Sequence, residues 1–295
     1  MLLGAHVSAA GGIDHAIDNI EALGGRAVQL FTQSPRRWKP TEHDPAAIER
    51  FLARRREADV RYVACHALYL INLASRNRRL SRQSSQALTA TVDVAVQIEA
   101  DVIFHVGSHA GPDLGPSLGR ITETLGLALD RASGPTHILL ENCAGGGGTV
   151  GRSVDELATI IDRLDRDRRL GICLDTCHLW CSGIDITERS TVDALADEID
   201  DRIGLDRVHA LHVNDTADPR GSNRDVHANI GQGVLGKKLA VLLSHPAFRR
   251  LPAILETPGR DGKGPDALEM RRLRRLCSQA SIPVEGEGKR RRRRR

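Results

Sequence analysis

Eight short apolar runs, each followed by a stretch of helical periodicity, constrain this chain more than any single residue does. The runs span residues 3–8, 27–31, 62–66, 101–106, 137–142, 171–175, 208–213 and 253–256. Helical stretches alternate with them at 13–23, 45–58, 82–100, 116–132, 154–164, 191–203, 236–243 and 265–278. Apolar runs of this kind predict strands buried on both faces, and the strand–helix alternation predicts a parallel α/β sheet. Eight such units in 295 residues fit a closed (β/α)8 TIM barrel better than an open doubly wound sheet. No Gly-x-Gly-x-x-Gly follows the first run, which argues against a dinucleotide fold. Gly145 to Gly148 lack the Gly-Lys-Ser/Thr of a phosphate loop and predict a flexible connection. Ser153 with Glu156 three residues later is a capping-box pattern.

The barrel is expected over residues 1–283. Beyond it, Val-Glu-Gly-Glu-Gly-Lys and six arginines have no apolar periodicity and predict a disordered polybasic tail over 284–295. Lys289 and Arg290 to Arg295 carry +7 against a formal charge of +4, leaving −3 for the body. A body of that sign must concentrate its cations on one face if it binds a polyanion. Only 3% of residues are aromatic, so Val, Leu, Ile and Ala must fill most of the interior. The absence of an 18-residue apolar span and of a basic leader at the N-terminus predicts a cytoplasmic protein with no membrane partner. The six cysteines form no C-x-x-C pair, and five lie in or just after apolar runs, as buried reduced thiols would.

The chemistry is expected where the runs end. The sixth ends in Asp175, and His178 follows three residues later. The third ends in His66, the fourth carries His105 and the fifth Glu141. The seventh carries His212, the segment after it Asp225 and His227, and the eighth ends in Glu256. In a barrel all nine fall at the C-terminal mouth, where such folds place their active sites. Five imidazoles and four carboxylates in one cavity would be costly without cations. A tetrahedral ion takes about four ligands, so nine groups with open water positions suit about three ions sharing a bridging carboxylate. His-rich, thiolate-free ligation favours Zn²⁺, with Mn²⁺ or Fe²⁺ as alternatives at some sites. Cations crowd the same loops: Arg36, Arg37 and Lys39 after the second run, Arg76, Arg78 and Arg79 after the third. Arg220 and Arg224 follow the seventh, Arg260 and Lys263 the eighth. As a set they read as a phosphate-backbone footprint around a centre that hydrolyses phosphates.

These residues carry a family resemblance. Residues 4–12, Gly-Ala-His-Val-Ser-Ala-Ala-Gly-Gly, and 66–73, His-Ala-Leu-Tyr-Leu-Ile-Asn-Leu, resemble motifs of endonuclease IV, the zinc-dependent abasic-site endonuclease of base-excision repair. So do residues 171–178, ending in Asp-Thr-Cys-His, and Leu211 to Asp215 with Asp225, His227 and residues 231–233. The resemblance extends nearly to Pro283. It implies a trinuclear zinc site: one ion on His66, His105 and Glu141, a second on Glu141, Asp175, His212 and Glu256, a third on His178, Asp225 and His227. It implies DNA repair by hydrolysis of the phosphodiester 5′ to an abasic site, leaving a 3′-hydroxyl and a 5′-deoxyribose phosphate. Glu141, bridging two ions, would also orient the attacking water. The partner would be double-stranded DNA containing abasic sites or blocked 3′ ends, bound by a monomer. Arg36, Tyr69 and Leu70 match the residues that the family inserts into the base stack.

The chain departs from the family pattern at Ala217 and Val226, where the family usually has cations, and at Gln232, usually Glu. Leu179 to Ser182 also differ. Phosphate contacts on the loop after the seventh run, and the rate, are what these changes affect. A metal-dependent sugar isomerase or epimerase on the same barrel is the nearest rival. It would use Glu141, Asp175, His212 and Glu256 but give no reason for the other five groups or the arginine-rich rim. A non-catalytic DNA-binding protein with a structural zinc cluster is the rival from another class.

Overall fold

A computed structural model describes residues 1–111 and 113–285. Eight parallel strands close in sequence order into a barrel. They are β1 (Leu2–His6), β2 (Ala27–Phe31), β3 (Tyr62–His66), β4 (Asp101–Phe104), β5 (Ile138–Glu141), β6 (Leu170–Asp175), β7 (Val208–His212) and β8 (Pro252–Leu255). The ring closes where Leu2 to Ala5 of β1 pair with Pro252 to Leu255 of β8. The helices are α1 (His15–Ala22), α2 (Pro45–Glu57), α3 (Arg78–Gln97), α4 (Gly115–Leu129), α5 (Val154–Asp162), α6 (Thr176–Cys181), α7 (Arg189–Arg202), α8 (Leu239–Leu243) and α9 (Ala267–Gln279). The barrel and its eight strands are those the alternation predicts, with ends shifted by one or two residues.

Two apolar layers hold this arrangement. Ala27, Ala64, Ile103, Leu139, Cys173, Ala210 and Ile254 fill the barrel interior, all fully buried. A larger cluster lies between sheet and helices, where α3 contributes Ala87, Leu88, Val92 and Ala95 from one stripe. Each fully buried Leu or Ile contributes about 1.5–3 kcal/mol. Small residues at 27, 64 and 210 leave room for larger ones at 103, 139 and 254, as a barrel interior requires. Helix starts are fixed by caps: Asp44 accepts from Ala46 N, Asn77 from Leu80 N, Ser153 from Glu156 N and Asp266 from Leu268 N. The Glu156 carboxylate reaches back to the N–H groups of Gly151 and Arg152 rather than to that of Ser153, so the capping box closes on the residues just before the N-cap.

Three features go beyond what the sequence indicates. Gly145 to Gly148 all adopt positive φ, which only glycine takes at low cost. Yet the loop is tied to the one after β4: Ser108 Oγ donates to Gly147 O at 2.5 Å and His109 N to Gly148 O at 3.0 Å. The body also runs past 283, because Glu285 N donates to Met1 O at 3.1 Å and the Glu285 carboxylate pairs with Arg61 at 2.7 Å. The tail's arginine run lies outside the described residues. The third is α6, a helix of six residues that none of the eight expected helical stretches covers.

No disulfide joins the six cysteines, and all six are buried. Among the described residues no helix is long and apolar enough to cross a membrane.

Candidate metal centre

Strand direction brings the nine expected groups to one mouth. Glu141, the last residue of β5, is fully buried and lies at the middle of them. Its Oε2 faces His66 Nε2 at 3.2 Å and His105 Nε2 at 3.5 Å. Its Oε1 faces His212 Nδ1 at 2.8 Å and His178 Nδ1 at 3.5 Å. The donors fall into three sets, in each of which one atom per residue lies within 4.8 Å of the others: His66, His105 and Glu141; Glu141, Asp175, His212 and Glu256; His178, Asp225 and His227. Glu141 belongs to two of them. Cys177 lies equally close to Asp175 and His227, a thiol that C-x-x-C spacing could not flag.

Neutral oxygens orient the imidazoles. His66 Nδ1–H donates to Ala67 O at 2.7 Å, which turns Nε2 towards Glu141. His178 Nδ1–H donates to Asn142 O at 2.9 Å, turning Nε2 towards Asp225 Oδ1 at 3.0 Å. His212 Nε2–H donates to Gln29 Oε1 at 2.8 Å, so Nδ1 faces Glu141 and Glu256. Metal-binding histidines are held in this way, with one nitrogen fixed by an outer partner and the other free to ligate. Gln29 also donates to Glu256 Oε1 at 2.6 Å and sits 2.9 Å from His6 Nδ1. Asn214 donates to Asp175 Oδ2 at 2.6 Å and accepts from Glu256 N at 2.9 Å. Asp175 meanwhile caps α6 by accepting from His178 N at 2.8 Å. Asp215 organises the long loop that carries Asp225 and His227, its carboxylate accepting from the N–H groups of Gly231, Gly233, Leu235 and Gly236. Gln29, His6, Asn142, Asn214 and Asp215 were not among the expected site residues.

The electrostatics call for cations. Burial pushes the Glu141 carboxyl up, but His105 and His212 outweigh it and hold the group well below the usual range. Burial likewise opposes charge on His227, yet Asp175 and Asp225 push it up to about 9. His178 shifts upward for the same reason, and His212 through Cys173, Glu256 and Glu141, both against burial. Four carboxylates thus draw positive charge onto whatever lies between them. Among the described residues His178 Nε2 and His227 Nε2 are buried with no hydrogen-bond partner of normal geometry, and both face Asp225 Oδ1, at 3.0 and 3.2 Å. Two orphaned imidazole nitrogens aimed at one carboxylate oxygen fit a divalent ion better than any hydrogen-bond network. All three donor sets are built of imidazole and carboxylate, which suits zinc and its neighbours.

Burial falls from Glu141 outward: the Asp225 side chain is 52% exposed, so the third set opens to solvent. Tyr69 and Leu70, just past β3, are 62% and 37% exposed, an apolar pair displayed beside the site. The Tyr69 ring rests edge-on against Phe31 at 5.3 Å and lies 5.5 Å from His66. A cavity of about 570 Å³ beside Glu256 is lined by His6, Phe31, Tyr69 and Lys263 among others. Arg36, Arg37, Lys39, Arg76, Arg78, Arg79 and Lys263 are exposed, and among the described residues no carboxylate pairs with them. Arg220, Arg224 and Arg260 differ: they pair with Asp185, Asp218 and Asp266. Among the described residues the free rim cations are therefore those after β2 and β3, with Lys263 after β8. Ala217, Val226 and Gln232 are all exposed.

Fold and site together define a class: residues 17–277 match the family described as xylose isomerase-like TIM barrel. The chain is 35% identical over 277 residues to a "Probable endonuclease 4" of Halothermothrix orenii, covering 93% of this chain and all of that one. A "Probable endonuclease 4" of Nitratidesulfovibrio vulgaris is 38% identical over 279 residues, 94% of this chain and 99% of its own. The crystal structure of endonuclease IV from Thermus thermophilus superposes with a TM-score of 0.83 at 33% identity, covering 95% of this chain and 100% of that one. The chain belongs to the endonuclease IV family.

Proposed function

We propose that this chain is an abasic-site endonuclease that hydrolyses the phosphodiester 5′ to the lesion in duplex DNA, leaving a 3′-hydroxyl and a 5′-deoxyribose phosphate. The observation that carries the reading is the position of Glu141, whose two carboxylate oxygens face two different donor sets while a third set lies alongside. Three ions, chiefly Zn²⁺, are proposed on the nine donors. His66, His105 and Glu141 would hold one, Glu141, Asp175, His212 and Glu256 the second, His178, Asp225 and His227 the third. When bound, such ions acidify water and neutralise charge on a phosphodiester.

The chain's own residues do the rest. Glu141 holds the two inner sets in register and orients the attacking water from its buried position. Gln29 and Asn214 keep His212, Asp175 and Glu256 aimed inward. Tyr69 and Leu70 would enter the base stack, where an unpaired abasic site costs least to open. The cavity beside Glu256 is large enough for an extruded sugar, and Lys263 on its wall suits a phosphate. Arg36 and the other unpaired rim cations would follow the backbone. The Lys289 to Arg295 run would add non-specific affinity by counterion release. Deleting it should flatten the salt dependence of binding to undamaged duplex and leave the single-turnover rate unchanged.

A duplex with a single tetrahydrofuran abasic analogue tests the activity. Zinc-loaded protein should nick it once, on the 5′ side, leaving a 3′ end that a polymerase extends. No nicking, with conversion of a ketose or aldose by the same preparation, would establish the sugar isomerase reading instead. Binding to the lesion without nicking would establish the non-catalytic one.

A further inference from the structure

The N-terminal mouth of the barrel, at the far end of the strands from the donor sets above, holds a second polar group with no part in the proposed hydrolysis. Asp101 opens β4, His137 immediately precedes β5, and His209 is the second residue of β7. Pairing between β6 and β7 jumps from Ile172↔Val208 to Cys173↔Ala210, which leaves His209 as the extra residue of a bulge. A bulge at a barrel rim re-aims a side chain. Gly171, on the strand between, makes the room: a Cβ there would lie 2.5 Å from His209 Cδ2 and 2.9 Å from Cδ2 of the interior Leu139. The His209 ring leans across β6 and meets His137, with centroids 4.1 Å apart and planes inclined at 31°.

Asp101 completes the group. Its side chain is 9% exposed and accepts from His137 N at 2.9 Å, and His137 Nδ1 lies 3.0 Å away. One donor atom from each of the three residues lies within 4.8 Å of the other two. Among the described residues no lysine or arginine comes within 4.0 Å of this carboxylate. Among the described residues Tyr62 Oη, buried at the same end, has no hydrogen bond of normal geometry, and the strongest charge acting on it is that of Asp101. A buried carboxylate is costly without a cation, and two imidazoles beside it form a donor set for ions that prefer nitrogen.

We propose that Asp101, His137 and His209 form a separate site for one divalent transition-metal ion, zinc in the first instance, that clamps the starts of β4, β5 and β7. Its role is structural, since the N-terminal face of such barrels serves stability while chemistry lies at the other end. Zinc is the probe. Full-length protein stripped of metal, reloaded with excess zinc and desalted should retain one equivalent more than either His209→Gln or His137→Gln, by elemental analysis. Both variants should still nick abasic duplex at the parent rate. Equal zinc in parent and variants would overturn the site. Should a variant misfold, diethyl pyrocarbonate labelling of the unmutated protein gives a second reading. Saturating zinc should protect His137 and His209 from modification as mapped by mass spectrometry, and unchanged labelling would overturn the proposal. A parent that fails to nick DNA but shows the extra equivalent would refute the proposed hydrolysis and leave this site standing.

Discussion

At the C-terminal mouth the strands end in His66, Glu141, Asp175 and His212, while at the N-terminal mouth they begin in Leu2, Ala27, Tyr62, Ile138, Leu170 and Val208. Five of the eight strands, counting β1 with His6, therefore end in an ionisable group, whereas Asp101 is the acidic exception among their apolar starts. Between the two mouths lies the layer of Ala27, Ile103, Leu139 and Ile254, fully buried. The layer separates the two tasks. It supplies burial energy that does not depend on the ligands, so the upper mouth can gather four carboxylates whose mutual repulsion would otherwise open it. Residues above the layer should then govern chemistry, and residues within it stability.

The largest effect should come from Glu141→Gln. A neutral amide between two donor sets bridges cations poorly, and nicking of the abasic duplex should fall by on the order of 10³-fold. Metal-free Tm should fall as well, because the surrounding imidazoles lose the carboxylate they stabilise; retained nicking would break the division between the mouths. Leu139→Ala is the converse. Truncation of this fully buried side chain should cost about 2–5 kcal/mol in denaturant unfolding. The nicking rate per folded molecule should not change.

Gln29→Ala tests the layer of outer partners. His212 and Glu256 would both lose a hydrogen bond. Zinc affinity, measured by chelator competition, should weaken about 10–100-fold. Unchanged affinity would show that the imidazoles are held by packing alone. The smallest effect is expected at the edge of the mouth. Tyr69→Ala with Leu70→Ala should lower kcat/KM on abasic duplex by about tenfold, the worth of one stacking contact. Zinc content should remain that of the parent. Equal kcat/KM would rule out insertion by this pair.

Much of the upper mouth was legible because its donors terminate strands. Strand direction puts every strand end on one face, so His66, Glu141, Asp175 and Glu256 could be placed together from position in the sequence alone. The outer partners were not legible. Gln29 lies in β2, and its partner His212 is 183 positions away, with nothing local to mark either as paired. Asn142 and Asn214 read as ordinary strand-end residues. Asp215 stands beside Asn214 in a recognised motif, yet its carboxylate serves backbone N–H groups some twenty residues on, which only the folded loop reveals. α6 was missed because six residues are too few for a periodic signal. The pairing of Arg220 with Asp185, 35 positions away, could not be anticipated from a count of cations, nor could that of Arg224 and Arg260 with acids on their own loops. His209 was hidden in a strand-like run because a bulge has no sequence signature of its own.

The claim that nine donors hold three ions is open to one direct measurement. Crystals of zinc-loaded protein, measured above and below the zinc absorption edge, should give an anomalous difference map with three peaks at the C-terminal mouth. Two should flank the Glu141 carboxylate, and the third should lie between His178, Asp225 and His227. A map with a single peak at that mouth, or with none beside Glu141, from protein that nicks abasic DNA at full rate, would contradict the account.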